Sequence, residues 1–219
     1  MMRTCLKYLV YLAMAFSFSA AQAGAYEDFF RAIANDDGRT VQDLLGRGFD
    51  PNSRDEKGQA ALYLAMREGS FKAGTALLAN PQTRIDLPNA VGETALMMAA
   101  LKGHADWVAR LLDRGANIES AAADGKPGWA PLHYAASGPN PKVVDLLLTR
   151  GAKVDSRSPN GSTPLMMAAG YGPEEALNLL LQKGGDLRLR NDIGLGPADF
   201  ARQGGREALT KQLQDAEKR

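Results

Sequence analysis

Apolar residues in this chain neither alternate with polar ones nor form one long amphipathic run; they come in short blocks at regular intervals. From Gly58 the chain reads GQAALYLAM, from Gly92 GETALMMAA, from Gly128 GWAPLHYAA, from Gly161 GSTPLMMAA and from Gly194 GLGPADFAR. Each block predicts a short, alanine-rich helix. Thr94 and Thr163 stand where a helix N-cap belongs, and Pro131, Pro164 and Pro197 take a first helical position, where the missing N–H costs nothing. A turn and a second helix follow, ending in leucine pairs at 44–45, 77–78, 111–112, 147–148 and 180–181. Gly48, Gly115, Gly151 and Gly184 then stop the helix in the left-handed conformation that glycine adopts cheaply. An extended segment such as GAKVDSRSPNG returns the chain to the next block.

The block glycines are separated by 34, 36, 33 and 33 residues, and a degenerate copy, AYEDFFRAI, begins 33 residues before Gly58. A fixed period of this size is the signature of a repeat architecture. The predicted fold is all-α, about six helix-turn-helix units with hairpin-like finger loops, over residues 25–57, 58–91, 92–127, 128–160, 161–193 and 194–219.

The first residues belong to a different pattern. MMRTCLKY holds Arg3 and Lys7 without an acid, LVYLAMAFSFSA is apolar, and Ala21, Gln22 and Ala23 are suited to a cleavage site. This order predicts a signal peptide over residues 1–23 and a mature chain from Gly24, because the apolar run is shorter than the roughly 20 residues of a spanning helix. Removing that segment takes the formal charge from +1 to −1 and deletes Cys5, the one cysteine. The mature chain then has no thiol for a disulfide, a metal site or a nucleophile. At 45% hydrophobic and 23% charged, the chain can bury a core, and its near-neutral charge gives no push toward nucleic acid.

The period, the TPLHxAA-like cores STPLMMAA, WAPLHYAA and ETALMMAA, the leucine-paired second helix and the glycine-led return resemble ankyrin repeats, across essentially residues 25–219. The second copy departs with Asn80-Pro81 in place of the stopping glycine, and the last is truncated and polar. The resemblance implies an ankyrin-repeat solenoid, in 24–219 as one domain, in which each unit packs only against its neighbours. Alanines such as Ala99, Ala135 and Ala168 let helices approach. Arg202, Gln203, Arg206, Lys211 and Gln212 would give the last unit a polar outer face, and Glu27, Asp28, Asn35, Asp36 and Asp37 the first.

The same resemblance assigns His133 to a structural slot, its imidazole bonded to backbone of the adjoining finger, while sister copies carry Tyr63, Met97 and Met166 there. His104 takes the family's Gly-His turn position. No HExxH, GxSxG or P-loop pattern occurs, and the carboxylates fall mostly in fingers and turns, so neither an enzyme nor a cofactor is expected. Thioethers at Met97-Met98 and Met166-Met167 would suit Cu(I), but they fall where the helix packs, and core filling is the preferred reading. No metal site is expected.

What remains is a surface. In the family, partners are held on a concave face of finger tips and first helices, which the repeat grammar populates with Lys57, Gln59, Arg67, Glu68, Glu93, Lys102, Trp129, Asn160, Ser162, Tyr171 and Leu195. Trp129 follows a longer finger, has no repeat core to fill, and either anchors a partner or folds onto Pro127 and Pro131. The candidate protein-binding residues are Trp129, Tyr171, Lys126, Arg67, Glu93, Lys102 and Leu195; Trp107 is expected in the core. The expected protein is a monomeric, non-catalytic, exported interaction module of the bacterial periplasm that binds another protein as an immunity, inhibitory or protective factor, with no nucleic-acid partner and no membrane insertion. The alternative is an envelope scaffold, or an accessory factor in oxidative-stress defence, without one dedicated partner.

Overall fold

The computed structural model describes residues 24–119 and 128–218; the signal-peptide segment lies outside them. Among the described residues there are twelve helices and no strand. They run as α1 (24–34), α2 (Gly38–Gly46), α3 (Ala61–Glu68), α4 (Phe71–Ala79), α5 (Ala95–Leu101), α6 (Ala105–Asp113), α7 (Pro131–Ser137), α8 (Pro141–Thr149), α9 (Pro164–Tyr171), α10 (Glu174–Gln182), α11 (Pro197–Gln203) and α12 (Glu207–Glu217). Packing divides the chain into two compact units, one ending at Arg84 and the other beginning at Ile85.

Local chemistry sets the helix limits as the sequence implies. The Thr94 and Thr163 hydroxyls accept from the N–H groups of Met97 and Met166 at 3.4 Å, and Pro131, Pro164 and Pro197 each open a helix. Gly48, Gly115, Gly151 and Gly184 have φ of 85–95°, where a side chain would clash with its own backbone. Helix α4, without such a glycine, ends at Asn80 in extended backbone before Pro81.

In the first unit, Phe29 and Ile33 of α1 are buried with Val41 and Leu44 of α2, and α2 packs against α4. Asp36, at φ 53°, turns its carboxylate onto the start of α4 and accepts from the Lys72 and Ala73 N–H groups at 2.6 and 3.0 Å. Asp enters the left-handed region more readily than most residues with a side chain. Asp36 is therefore half-buried as a helix cap rather than part of the polar end face expected for it.

In the second unit, α5, α7, α9 and α11 pack side by side in order, as do α6, α8 and α10. Ala99, Ala135, Ala136, Ala168 and Ala169 are each fully buried at these crossings. The tightest approach is at Gly172, where a Cβ would sit 2.0 Å from the Ala136 carbonyl oxygen. Leu111, Leu147 and Leu180, the first members of their pairs, are fully buried, and Trp107 is in the core with the Arg110 guanidinium 4.1 Å above its ring.

Side chains one repeat apart also join the fingers. Asp86 accepts from the Asn117 N–H at 3.0 Å, Glu119 from Lys153 at 2.8 Å and Asp155 from Asp186 at 3.1 Å, with Asn52 and Arg84 repeating the bond at 2.8 Å inside the first unit. Arg206 departs from the reading as terminal surface. Its Nη1 donates to the Ala168, Ala169 and Gly172 carbonyls at 3.0, 3.0 and 2.8 Å, closing the C-terminus of α9, where the Gly172 N–H also bonds the Ala168 carbonyl at 3.0 Å. Arg202, Gln203, Lys211 and Gln212 are exposed as expected.

Candidate functional site

His133 is the centre around which this region is built. It is the third residue of α7 and fully buried. Its Nδ1 accepts from the Ala130 N–H at 3.1 Å, which leaves the proton on Nε2 to donate to the Ser162 carbonyl at 3.0 Å. One imidazole thus caps its own helix and ties α7 to the next finger. Burial holds its pKa below the ordinary histidine value, against the pull of those backbone bonds. Sister copies keep the local half of the device: the Met97, Met166 and Asp199 side chains accept from the N–H groups of Thr94, Thr163 and Gly196 at 3.4, 3.4 and 3.0 Å. His133 is therefore a neutral structural group, as the family slot implies, and His104 supplies the N-cap position of α6.

Against the outer edge of that imidazole lies an aromatic groove. Trp129, half-buried, meets His133 edge-on at 5.3 Å between centroids and Tyr134 at 6.5 Å. With Leu101, Ser137, Met167 and Tyr171 these residues wall an open groove of about 350 Å³. Helical geometry explains the convergence: His133 and Ser137 on α7, and Met167 and Tyr171 on α9, are each four residues apart and share a face. Tyr171 is 61% exposed, whereas Leu101, Tyr134 and Met167 are half-buried. The Tyr134 hydroxyl donates to Glu93 Oε1 at 3.2 Å, and Glu93 Oε2 accepts from Asn89 Nδ2 at 2.8 Å.

The structure thus places Trp129 and Tyr171 in one groove and links Glu93 to it through Tyr134. Lys102 is exposed at the C-cap of α5, beside the groove residue Leu101. Leu195 is half-buried in its finger, bonded through its N–H to Asn191 Oδ1 at 2.9 Å. Arg67 belongs to the first unit, where it pairs with Glu68 at 2.6 Å and with Gln59. Lys126 and Pro127 lie outside the described residues.

Two expectations are corrected. Ser162, assigned to the accessible face, is fully buried, and its carbonyl accepts from both His133 and the Ser158 N–H. Met167, assigned to core packing, is a half-buried groove wall, while Met97, Met98 and Met166 are buried. Tyr134 and Leu101 were missed altogether; their helix positions relative to Trp129 and Tyr171 were the available signal.

A larger hollow of about 970 Å³ in the first unit is lined by Asp36, Asp37, Arg39, Phe71 and Lys72 among others. Its acids are committed to helix ends: Asp36 caps α4, and Asp37 caps α2 through the Thr40 N–H at 3.1 Å. Among the described residues no three His, Cys, Asp or Glu side chains gather where they could hold a metal ion, and no helix is long and apolar enough to cross a membrane.

Paired short helices, finger returns and a histidine that locks one repeat to the next define a helical repeat protein. The chain belongs to the ankyrin repeat family: the family model "Ankyrin repeats (3 copies)" matches residues 29–122 and 118–191. It is 33% identical over 188 residues to the ankyrin repeat and KH domain-containing protein mask-1 of Caenorhabditis elegans, covering 80% of this chain and 7% of that protein. It is 32% identical over 163 residues to the nuclear factor NF-kappa-B p105 subunit of Gallus gallus, covering 73% of this chain and 16% of that one. The matched stretch is thus a small fraction of both relatives. Repeats of this family generally mediate protein–protein interaction.

Proposed function

We propose that this chain is a non-catalytic binding module that holds one protein partner in the groove walled by Trp129, Tyr134 and Tyr171. The observation that carries the reading is the gathering of three aromatic side chains around one open groove, with Tyr171 61% exposed. Aromatic anchors in apolar pockets supply much of the energy of protein interfaces, and a solvated apolar groove is costly to leave uncovered. Glu93 and Lys102 contribute polar contacts around it. The module works as a monomer in the bacterial periplasm, as an immunity, inhibitory or protective protein; this location is supported by the basic, apolar and small-residue order of residues 1–23.

Two experiments test this. Residues 24–219 are used as bait in envelope extract beside Trp129→Glu and Tyr171→Ala, and the captured protein is purified and titrated against all three. A partner whose affinity falls by about 30-fold or more, the scale of an interface hot spot, supports the groove. Equal affinity for all three baits removes it. For location, the chain is recovered from a periplasmic fraction and its intact mass measured; the expected N-terminus is Gly24, and recovery of the uncleaved chain from the cytoplasm defeats the export reading.

A further inference from the structure

Five methionines fall within the described residues, and their environments differ. Met66 and Met166 are fully buried, and Met97 and Met98 nearly so at 4% and 6% exposed. The Met97 and Met166 sulfurs are further committed as acceptors of the Thr94 and Thr163 N–H groups. Met167 alone among the five is half-buried, and it opens into the groove beside Trp129, Tyr134 and Tyr171. The repeat slot does not force this: Met98 holds the equivalent position in GETALMMAA and is buried.

Thioether oxidation depends on access, because the oxidant must reach the sulfur lone pair. We propose that Met167 is an oxidation site and that its sulfoxide turns the groove from an apolar to a polar receptor. The oxidant is a hydroperoxide. The Met167 sulfur attacks the terminal peroxide oxygen, the S–O bond forms as the O–O bond breaks, and the peroxide proton ends on the departing oxygen, which leaves as alcohol or water. Sulfur loses two electrons and the peroxide gains them. Met66, Met97, Met98 and Met166 are protected until the helices around them open, which costs part of the folding free energy.

The consequence for binding rests on the groove being the partner site proposed above. A sulfoxide is a strong acceptor set into a wall of largely apolar side-chain surface, so an apolar partner surface that covers it must desolvate the S=O group. Oxidation therefore releases such a partner, and reduction of the sulfoxide restores it.

The test separates the site from its consequence. The purified full chain is exposed to hydrogen peroxide over time, and sulfoxide at each methionine is followed by peptide mapping. Met167 is expected to oxidise faster than Met66, Met97, Met98 and Met166 by about tenfold or more; equal rates, or a faster buried methionine, overturn the assignment. In parallel, emission of the apolar dye 1-anilinonaphthalene-8-sulfonate is recorded for the native chain, Met167→Leu and Trp129→Glu. Dye emission that drops with peroxide in the native chain but not in Met167→Leu supports the switch, and an equal drop in both refutes it. Emission indifferent to Trp129→Glu before any peroxide is added counts instead against the apolar groove, and with it the proposed function.

Discussion

The sharpest consequence of the structure concerns His133, whose two bonds can be removed one at a time. His133→Ala deletes the acceptor for the Ala130 N–H and the donor to the Ser162 carbonyl, both buried, and leaves a hole beneath Trp129. The abandoned Ala130 N–H costs about 1–3 kcal/mol; the Ser162 carbonyl keeps the Ser158 N–H at 2.9 Å, so its lost bond costs about 0.5–1.5 kcal/mol, and with lost packing the sum is about 2–5 kcal/mol. His133→Met retains the first bond, because Met97 and Met166 make it in the same slot at 3.4 Å. Its cost is the Ser162 bond alone, about 0.5–1.5 kcal/mol, because the Ser158 N–H still satisfies that carbonyl. The pH dependence is an independent check. The folded imidazole titrates below the unfolded one, so the unfolded chain binds the extra proton first as pH falls. The histidine's contribution is complete above about pH 6.5 and is lost as pH falls through the folded pKa, with a slope approaching about 1.4 kcal/mol per pH unit in that window. Urea unfolding followed by circular dichroism at pH 8, 7, 6 and 5 measures this, with amide exchange at Ala130 reporting the local bond. The native chain should lose stability on acidification relative to His133→Met. If the two run parallel across that range, or if His133→Ala costs under about 1 kcal/mol, the assignment of a buried neutral Nε2–H imidazole is wrong.

Three further substitutions probe contacts between repeats. Arg206→Ala removes the guanidinium from the Ala168, Ala169 and Gly172 carbonyls, of which Ala168 keeps the Gly172 N–H, and should cost about 1.5–3 kcal/mol in urea titration, the range of a charged hydrogen bond; a loss no larger than that of Arg202→Ala would show that solvent caps α9 equally well. Gly172→Ala places a Cβ 2.0 Å from the Ala136 oxygen, so the α7–α9 approach must widen, at about 1–3 kcal/mol; an unchanged thermal midpoint would mean the helices separate freely. Asp36→Ala frees the Lys72 and Ala73 N–H groups and should cost about 0.5–2 kcal/mol with faster exchange of those two amides, whereas exchange unchanged at both would place the cap of α4 elsewhere.

Several helix limits were legible because they depend on chemistry within a few residues, and the role of His133 because its slot resembles that of the family. A threonine followed by proline starts a helix wherever it stands, and a glycine after a leucine pair ends one. Comparison of repeats added the histidine slot, since Met97 and Met166 fill the same position. Trp129 and Tyr171 were legible as candidates for a simpler reason: both are large aromatics at positions the repeat does not need. The sequence left open whether Trp129 anchors a partner or folds onto the prolines, and the structure shows its ring against His133 and Tyr134.

Local pattern by itself determined that this is a helical repeat protein resembling ankyrin repeats, where the first helix of four repeats begins and where the second helix of four repeats stops. Tertiary structure decided which side chains serve which purpose. Arg206 and Asp36 read as polar surface but close helix ends 34 to 38 residues away. Ser162 reads as accessible but gives its carbonyl to a histidine 29 residues earlier. Met98 and Met167 hold the same slot, yet one is buried and the other opens into the groove. The reason is common to all of them: an unpaired carbonyl, a buried N–H or a gap beside a ring is created only when neighbouring repeats meet, and no residue type records in advance which neighbour will satisfy it.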